Sequence, residues 1–406
     1  MGGVVCDFTA DGDTPAKTGK VGMRRRTLLT GIGAVAGCGF FRARPPSASD
    51  REAALAALLD SPHPESLAEA LVRGDFDVSA LRAAAGELAL TRCIPDGVPP
   101  DGSVSHAVLG VAAARQLSGQ CSEAMQRLLW VTVAWQVARE VARSPYGATP
   151  WHLPRVEPAE VSLAVAIRDG RVGAADAAAA GSNATAVAQI AVEEFGHLGH
   201  PALFASAARL LEPEHGVLPA RCAARYLASH RRMDPPPSTA PGPALARVRR
   251  AGVGAPALDA VVGASVDLVR RCPGIDIGNM HLFTSIVALC QLADVVADAA
   301  EIGALWLDAA DAGLSELGPL NKRAGEPGSE HAERVREVIG PRPGDFDRLV
   351  SIALDGAVAT FHHSTKLVAA AGIRPAGLPL AVDFLASLVD TPDPRLVAAR
   401  AVLGLT

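Results

Sequence analysis

Alanine-rich apolar segments with helical spacing follow one another from residue 46 to the C-terminus, and they constrain the fold more than any other feature of the sequence. Alanine is the strongest helix former. Runs of β-branched residues bounded by turns, which are typical of strands, are scarce. Proline and glycine separate nearly every pair of segments. The pattern therefore predicts an all-α protein with a single large multi-helical domain over residues 46–406.

The apolar periodicity also predicts where the helices lie. Segment 122–143 is apolar around much of its surface, so we expect that helix to be buried. The proline-rich run 233–243 is expected to be a surface loop that crosses the domain. The predicted helices are 64–73, 78–91, 103–118, 122–143, 157–168, 184–195, 200–211, 218–230, 243–251, 256–271, 279–298, 301–316, 329–339, 345–370, 377–389 and 393–403.

Residues 1–45 have the form of an export signal followed by a linker. Arg25-Arg26 and the short apolar stretch after them are typical of a twin-arginine signal, and the residues up to Cys38 resemble a lipobox. The stretch is shorter than the roughly 20 apolar residues of a membrane span. We expect export by the twin-arginine route to a periplasmic or other extracytoplasmic location, with membrane anchoring through a lipidated Cys38. An ordinary hydrophobic arm is the alternative, and the true start is Met1 or Met23.

Composition and motifs exclude several classes of protein. The net charge of −5 and the aromatic content of 4% argue against a nucleic-acid partner. The cysteines are widely spaced and form no Cys-x-x-Cys, which excludes a zinc ribbon. The sequence has no Gly-x-Ser-x-Gly elbow and no glycine-rich phosphate loop. The spacing of Glu194 and His197 resembles a di-iron motif, but the required second copy is missing.

Histidines on apolar segments are the main chemical signal in the sequence. A polar ring in a core must find a partner, and for any single ring a hydrogen-bonded core histidine is the preferred interpretation. Four such segments together favour a metal site, because imidazole is the commonest ligand of zinc, iron, copper and nickel. Five other histidines, namely His63, His152, His215, His230 and His331, are expected at the surface. The histidines in or beside such segments are His106, His197, His200, His281, His362 and His363.

Lys366 is the one lysine of four that lies in an apolar helical segment. On a continuous helix it would lie one turn after both His362 (i+4) and His363 (i+3). Spacing alone favours a snorkelling lysine, with its stem on the helix and its head in water. The functional alternative requires a desolvated, neutral amine. Such an amine acts as a base or is carboxylated by CO2 to give an anionic oxygen ligand.

In four separated segments, the chain resembles the questin oxidase-like family. Ser105-His106 and the apolar residues after it are similar to an early helix of the family, which normally begins with Asn-His. The segments 199–204, 280–285 and 363–368 are similar to its His-Pro, His-and-Thr and His-x-x-Lys-Leu segments. The order of the four segments is the family's. The chain differs from the family at Phe204, where a second histidine is common.

The resemblance implies an all-α oxidoreductase, an oxygenase that uses O2 to open or insert oxygen into an aromatic polyketide ring such as an anthraquinone. It implies non-haem iron, Fe(2+), held by histidines and a carboxylated lysine. His363 and Lys366 would be the catalytic residues, and whether NADPH is consumed stays open. Carried over to this chain, the metal ligands are His106, His200, His281, His363 and Lys366, with His362 as the alternative to His363.

Two other classes of function compete with the oxygenase. In a non-catalytic exported helical scaffold, the histidines would be core residues bonded to backbone or to glutamate. A metal- or haem-binding lipoprotein would take up its ligand without turnover. The oxygenase requires the five named side chains to lie around one point.

Overall fold

The computed structural model describes residues 47–60, 63–93, 106–143, 161–193, 199–230, 242–272, 277–314, 345–360, 362–388 and 393–405. Within these ranges the chain forms eighteen α-helices and one short 3-10 helix, with no strand. The all-α prediction is therefore confirmed. The predicted export signal and helix 329–339 fall outside the described residues.

The helices succeed one another with short connections through much of the chain. Their bounds are α1 Ala48–Asp60, α2 Pro64–Arg73, α3 Val78–Arg92, α4 Ala107–Ser118, α5 Glu123–Arg143, α6 Leu163–Arg168, α7 Val172–Ala180, α8 Ala184–Ala191, α9 His200–His215, α10 Leu218–Ser229, α11 Pro243–Ala251, α12 Ala255–Arg271, α13 Ile277–Gln291, α14 Ala299–Leu314, α15 Asp345–Thr360, α16 His363–Ile373, α17 Leu378–Leu388 and α18 Pro394–Val402.

Side-chain caps fix where several helices begin. Asp77 accepts a hydrogen bond from Ala80 N at the start of α3, and Asn183 accepts one from Ala186 N at the start of α8. Asp308 of α14 accepts hydrogen bonds from backbone amides at the start of α11, and so caps a distant helix. Each cap satisfies donors that the first helical turn leaves unpaired.

The predicted helices agree with most of these bounds, and the differences have local causes. Segment 345–370 is not one helix, because His362 adopts a left-handed backbone conformation (φ 68°) that separates α15 from α16. Helix α13 ends at Gln291, well before the predicted residue 298. The short alanine-rich helix α7 and helix α1 were not predicted.

Helix α5 lies at the centre of one part of the fold. It contacts α1, α2, α3, α4, α15 and α18. Its middle turns, including Leu128, Trp130 and Val133, are buried, as its all-round apolar sequence predicts. Among the described residues, no helix is long and apolar enough to cross a membrane.

Four helices form a closed ring that positions the site. Helix α4 contacts α9 and α16, and helix α13 contacts the same two helices from the other side. Their inner faces carry alanine, valine and leucine, which allow close approach without voids. On each of the four helices, the residues that face the inside of the ring begin at the N-terminal end of the helix.

Candidate metal centre

Each helix of the ring carries a histidine at or near its N-terminal end. His106 immediately precedes α4, His200 is the first residue of α9, and His363 is the first residue of α16. His281 lies in the second turn of α13. The N-terminal end of a helix carries partial positive charge, so these four ends favour a negatively charged group between them.

Three of the imidazoles cluster around one point, and the ring of the fourth lies against them. The Nε2 atoms of His106 and His200 are 3.2 Å apart, and one potential ligand atom from each of His106, His200 and His281 lies within 4.8 Å of the others. The ring centroid of His363 lies 4.3 Å from that of His106 and 4.8 Å from that of His281. His200 and His281 are each 2% exposed. The helices thus bring together four of the five predicted histidines.

His362 lies outside this group, because the helix that would place it beside His363 is interrupted between them. Its ring is fully buried against Gly110 of α4, and its Nε2 lies 3.8 Å from Oε1 of Glu140. Neither of its ring nitrogens has a hydrogen-bond partner among the described residues. The prediction that both histidines share the face of Lys366 assumed one continuous helix. That assumption is wrong, because the helix is interrupted at His362.

Gly110 is required by the position of that ring. A Cβ atom added at Gly110 would overlap the imidazole of His362, which has no free space to move into. We expect Gly110→Ala to lower the free energy of unfolding by about 1–3 kcal/mol, the usual cost of overpacking a core. Urea denaturation measures this change. Gly173→Ala is the matched control, since an added Cβ there meets nothing within 4 Å. Equal stability of the two variants would contradict the assigned position of His362.

Lys366 does not snorkel. The residue is 6% exposed, and its Nζ is buried with no hydrogen-bond partner among the described residues. Burial lowers the pKa of Lys366 to about 7, although the nearby carboxylate of Glu140 acts in the opposite direction. The interpretation favoured by spacing alone is therefore wrong, because the surface of α16 that carries Lys366 faces the inside of the ring.

His106 and His362 are held in their neutral form. Burial, followed by the charges of Lys366 and the other histidines, lowers the pKa of His106 well below its usual range. Burial and then Lys366 lower the pKa of His362 to about 3. A neutral imidazole keeps a lone pair on one nitrogen, and that lone pair is what a metal ion requires.

Glu140 of α5 is a part of the site that the sequence interpretation missed. Its Oε2 accepts a hydrogen bond from the backbone N of Ala107 at 3.2 Å, directly after His106. Its Oε1 faces His362, directly before His363. One carboxylate therefore connects the flanks of two candidate ligands and lies near Lys366. The only signal in the sequence is a carboxylate near the end of a long apolar helix.

The donor set and its geometry fit a transition-metal ion. With metal–nitrogen bonds of about 2.0–2.1 Å, two ligands at tetrahedral or octahedral angles lie roughly 3.0–3.4 Å apart. The 3.2 Å between the Nε2 atoms of His106 and His200 falls in that range. Four imidazoles suit iron, zinc, copper or nickel, and they do not select one of them.

The remaining histidines are spread over the fold. His63 is exposed and His215 is half-buried at the end of α9. His230 is 4% exposed and stacks on Tyr226, so its predicted surface position is wrong. His152, His197 and His331 fall outside the described residues. The five cysteines of the described ranges are free thiols: Cys93, Cys222 and Cys290 are buried, and Cys121 and Cys272 are half-buried.

The chain matches no protein-family model, no curated protein and no solved structure.

Proposed function

We propose that this protein is a metal-dependent oxidoreductase, an oxygenase that binds a single non-haem iron ion within the four-helix ring. His106, His200, His281 and His363 would hold the ion, and Lys366 would complete the set. The observation that carries the proposal is the cluster of His106, His200 and His281, with the ring of His363 against it. The buried amine of Lys366, which acts electrostatically on His106, has no hydrogen-bond partner among the described residues. Aromatic substrates and the use of O2 are taken from the resemblance to the questin oxidase-like family.

The buried amine is most useful in this setting as the precursor of an anionic ligand. Its neutral nitrogen can add to the carbon of CO2 and lose one proton, which leaves a carbamate with a negatively charged oxygen. Two features favour that charge: the converging helix N-terminal ends and an incoming cation. A protonated Lys366 would instead repel the metal and has no lone pair to offer.

The other residues of the site bind, orient and exclude water. When bound, iron supplies the redox chemistry that lets O2 react with an electron-rich aromatic carbon. The neutral imidazoles provide strong nitrogen donors that stay in place because their helices pack on one another. The alanine- and leucine-rich inner faces keep water away from the reacting atoms. Glu140 holds the backbone at Ala107 and so orients His106.

The direct test is the metal content of the full chain, purified without oxygen in the presence of Fe(2+). We expect close to one iron per chain by inductively coupled plasma mass spectrometry, and an electron paramagnetic resonance signal of the iron–nitrosyl complex after addition of nitric oxide. Oxygen uptake with a hydroxylated anthraquinone then tests turnover. Near-stoichiometric zinc, or no metal, contradicts the iron assignment. Bound iron without oxygen uptake favours a sensor or storage role over an oxygenase.

Glu140→Gln tests whether the carboxylate beside the ligands tunes the metal. The amide keeps an acceptor for Ala107 N but removes the negative charge near His362 and Lys366. We expect the dissociation constant for iron to rise by roughly 10-fold or more, the range seen when groups behind metal ligands are changed. Competition with a chelator measures it. Glu123→Gln, on the exposed start of the same helix, should leave the constant unchanged.

A further inference from the structure

A narrow cavity of about 40 Å³ lies on the inside of the same four-helix ring and is lined by Lys366, one of the candidate ligands. Its walls come from α4, α9, α13 and α16, the four helices that carry the candidate ligands. Each of the four histidines is followed three residues later by a residue that lines the cavity: Leu109, Leu203, Thr284 and Lys366. The cavity therefore begins one helical turn beyond the layer of imidazoles.

The next turn of each helix continues the cavity with small or apolar side chains. Lining residues of this second layer are Ala112, Ala207, Val287 and Ala370. All four are buried. Thr284 in the first layer does not make the wall polar, since its hydroxyl donates a hydrogen bond to the carbonyl oxygen of Met280 in its own helix. Among the described residues of the lining, Lys366 is the only titratable one.

The far end of the cavity is polar and half-buried. Gln116 and Gln291 lie ten residues after His106 and His281, which at 1.5 Å per residue is about 15 Å along the helices. Ser206 donates a hydrogen bond to Oε1 of Gln291 at 2.8 Å, so this end is held by a polar pair. The cavity therefore runs from a polar end at Gln116 and Gln291 to Lys366, one helical turn from the histidines, and we call it the channel.

The width and lining of the channel limit what it can carry. A space of about 40 Å³ is too small for an aromatic ring. Water needs two to four polar partners, and the alanine and valine side chains of the second layer offer none. A small apolar molecule fits a space of this size and needs no polar partners. Apolar cavities in proteins stay dry and take up gases such as xenon.

We propose that this channel between α4, α9, α13 and α16 is the route by which dioxygen reaches the metal centre. The inference rests on the proposed function, because it supplies the co-substrate of that reaction. It also implies that the two substrates reach the metal centre from different sides. Dioxygen arrives along the helix axes, and an aromatic substrate approaches from the N-terminal ends of the four helices.

Xenon tests the channel independently of any metal or turnover. We expect xenon-pressurised crystals of the full chain to show an atom between Ala112, Ala207 and Val287. Ala207→Leu, which fills the channel, should abolish that atom, whereas Val287→Ala, which widens the channel, should keep it. Xenon bound only elsewhere, or equally bound in both variants, overturns the proposal even if the protein proves to be an oxygenase.

Nitric oxide, a diatomic gas that binds ferrous iron, tests the route in the iron-loaded protein. In stopped-flow mixing, we expect Ala207→Leu to slow nitric oxide association by about ten-fold or more, because the larger side chain fills the channel in a close-packed interior. Val287→Ala should not slow it. Both substitutions disturb the core. If both variants bind nitric oxide more slowly, altered packing explains the effect, and the proposed route is contradicted. A protein that takes up xenon but no iron would overturn the proposed function and leave the gas channel standing.

Discussion

Replacing His106, His200 or His281 singly by alanine is expected to remove iron from the protein, and the triple variant should lose no more than each single one. Groups that hold one ion act as a unit, so their effects do not add. Each single substitution should raise the dissociation constant for iron by at least about 100-fold, because changes behind the ligands alone reach roughly 10–100-fold. Metal analysis after gel filtration measures the loss.

The control for these variants is a histidine that lies away from the centre and is half-buried, as His106 is. His215, at the end of α9, is half-buried beside Gly86 and has no ring contact with the four histidines. His215→Ala should keep the full iron content while losing a comparable amount of packing. Retention of iron in all three single variants would support the exported scaffold, in which these rings are core residues.

The fold class could be predicted from the sequence because it depends on local preferences. Alanine-rich segments separated by glycine and proline have few alternatives to helices, and α2, α3 and α11 agree with their predicted bounds within a residue. The prediction of a single helix over residues 345–370 is wrong for a non-local reason. The residues around His362 suit a helix, but the fold buries this ring against Gly110 and breaks the helix there.

For the candidate site too, the sequence predicts what depends on local features and not what depends on tertiary packing. The sequence could name His106, His200 and His281, because polar rings in apolar segments are unusual. It could not show that α4, α9, α13 and α16 close into a ring, since that arrangement depends on packing between segments far apart in sequence. The sequence marks Glu140 only as a carboxylate near the end of a long apolar helix, because it acts through backbone and side chains that only the fold brings near.

Lys366→Met is expected to separate the function of the site from its stability. Methionine has nearly the shape of lysine without the amine, so the variant loses the candidate ligand and keeps the packing. We expect iron binding to fall by at least about 100-fold, since a ligand is worth more than the groups behind it. The metal-free variant should be more stable by about 1–3 kcal/mol, because an unpaired buried donor is removed.

The neighbouring Thr365 provides the matched control. It is fully buried in the same turn of α16, and its hydroxyl also has no hydrogen-bond partner among the described residues. Thr365→Val should therefore raise the stability of the metal-free protein in the same direction while leaving the iron content intact. Loss of iron in both variants would indicate a disturbed helix rather than a lost ligand.

The stability gained in Lys366→Met should also depend on pH in a defined direction. The pKa of Lys366 is about 7 in the folded protein, against 10.5 for an ordinary lysine. Between these values the unfolded chain binds more protons, so the free energy of unfolding of the unsubstituted protein rises with pH. The advantage of the methionine variant should be largest below pH 7 and shrink toward pH 10.5. Urea denaturation with a chelator present, at about pH 6.5 and about pH 9.5, measures the difference. An advantage that stays constant would mean that the amine is solvated in the folded state, and a solvated amine could not serve as a buried ligand.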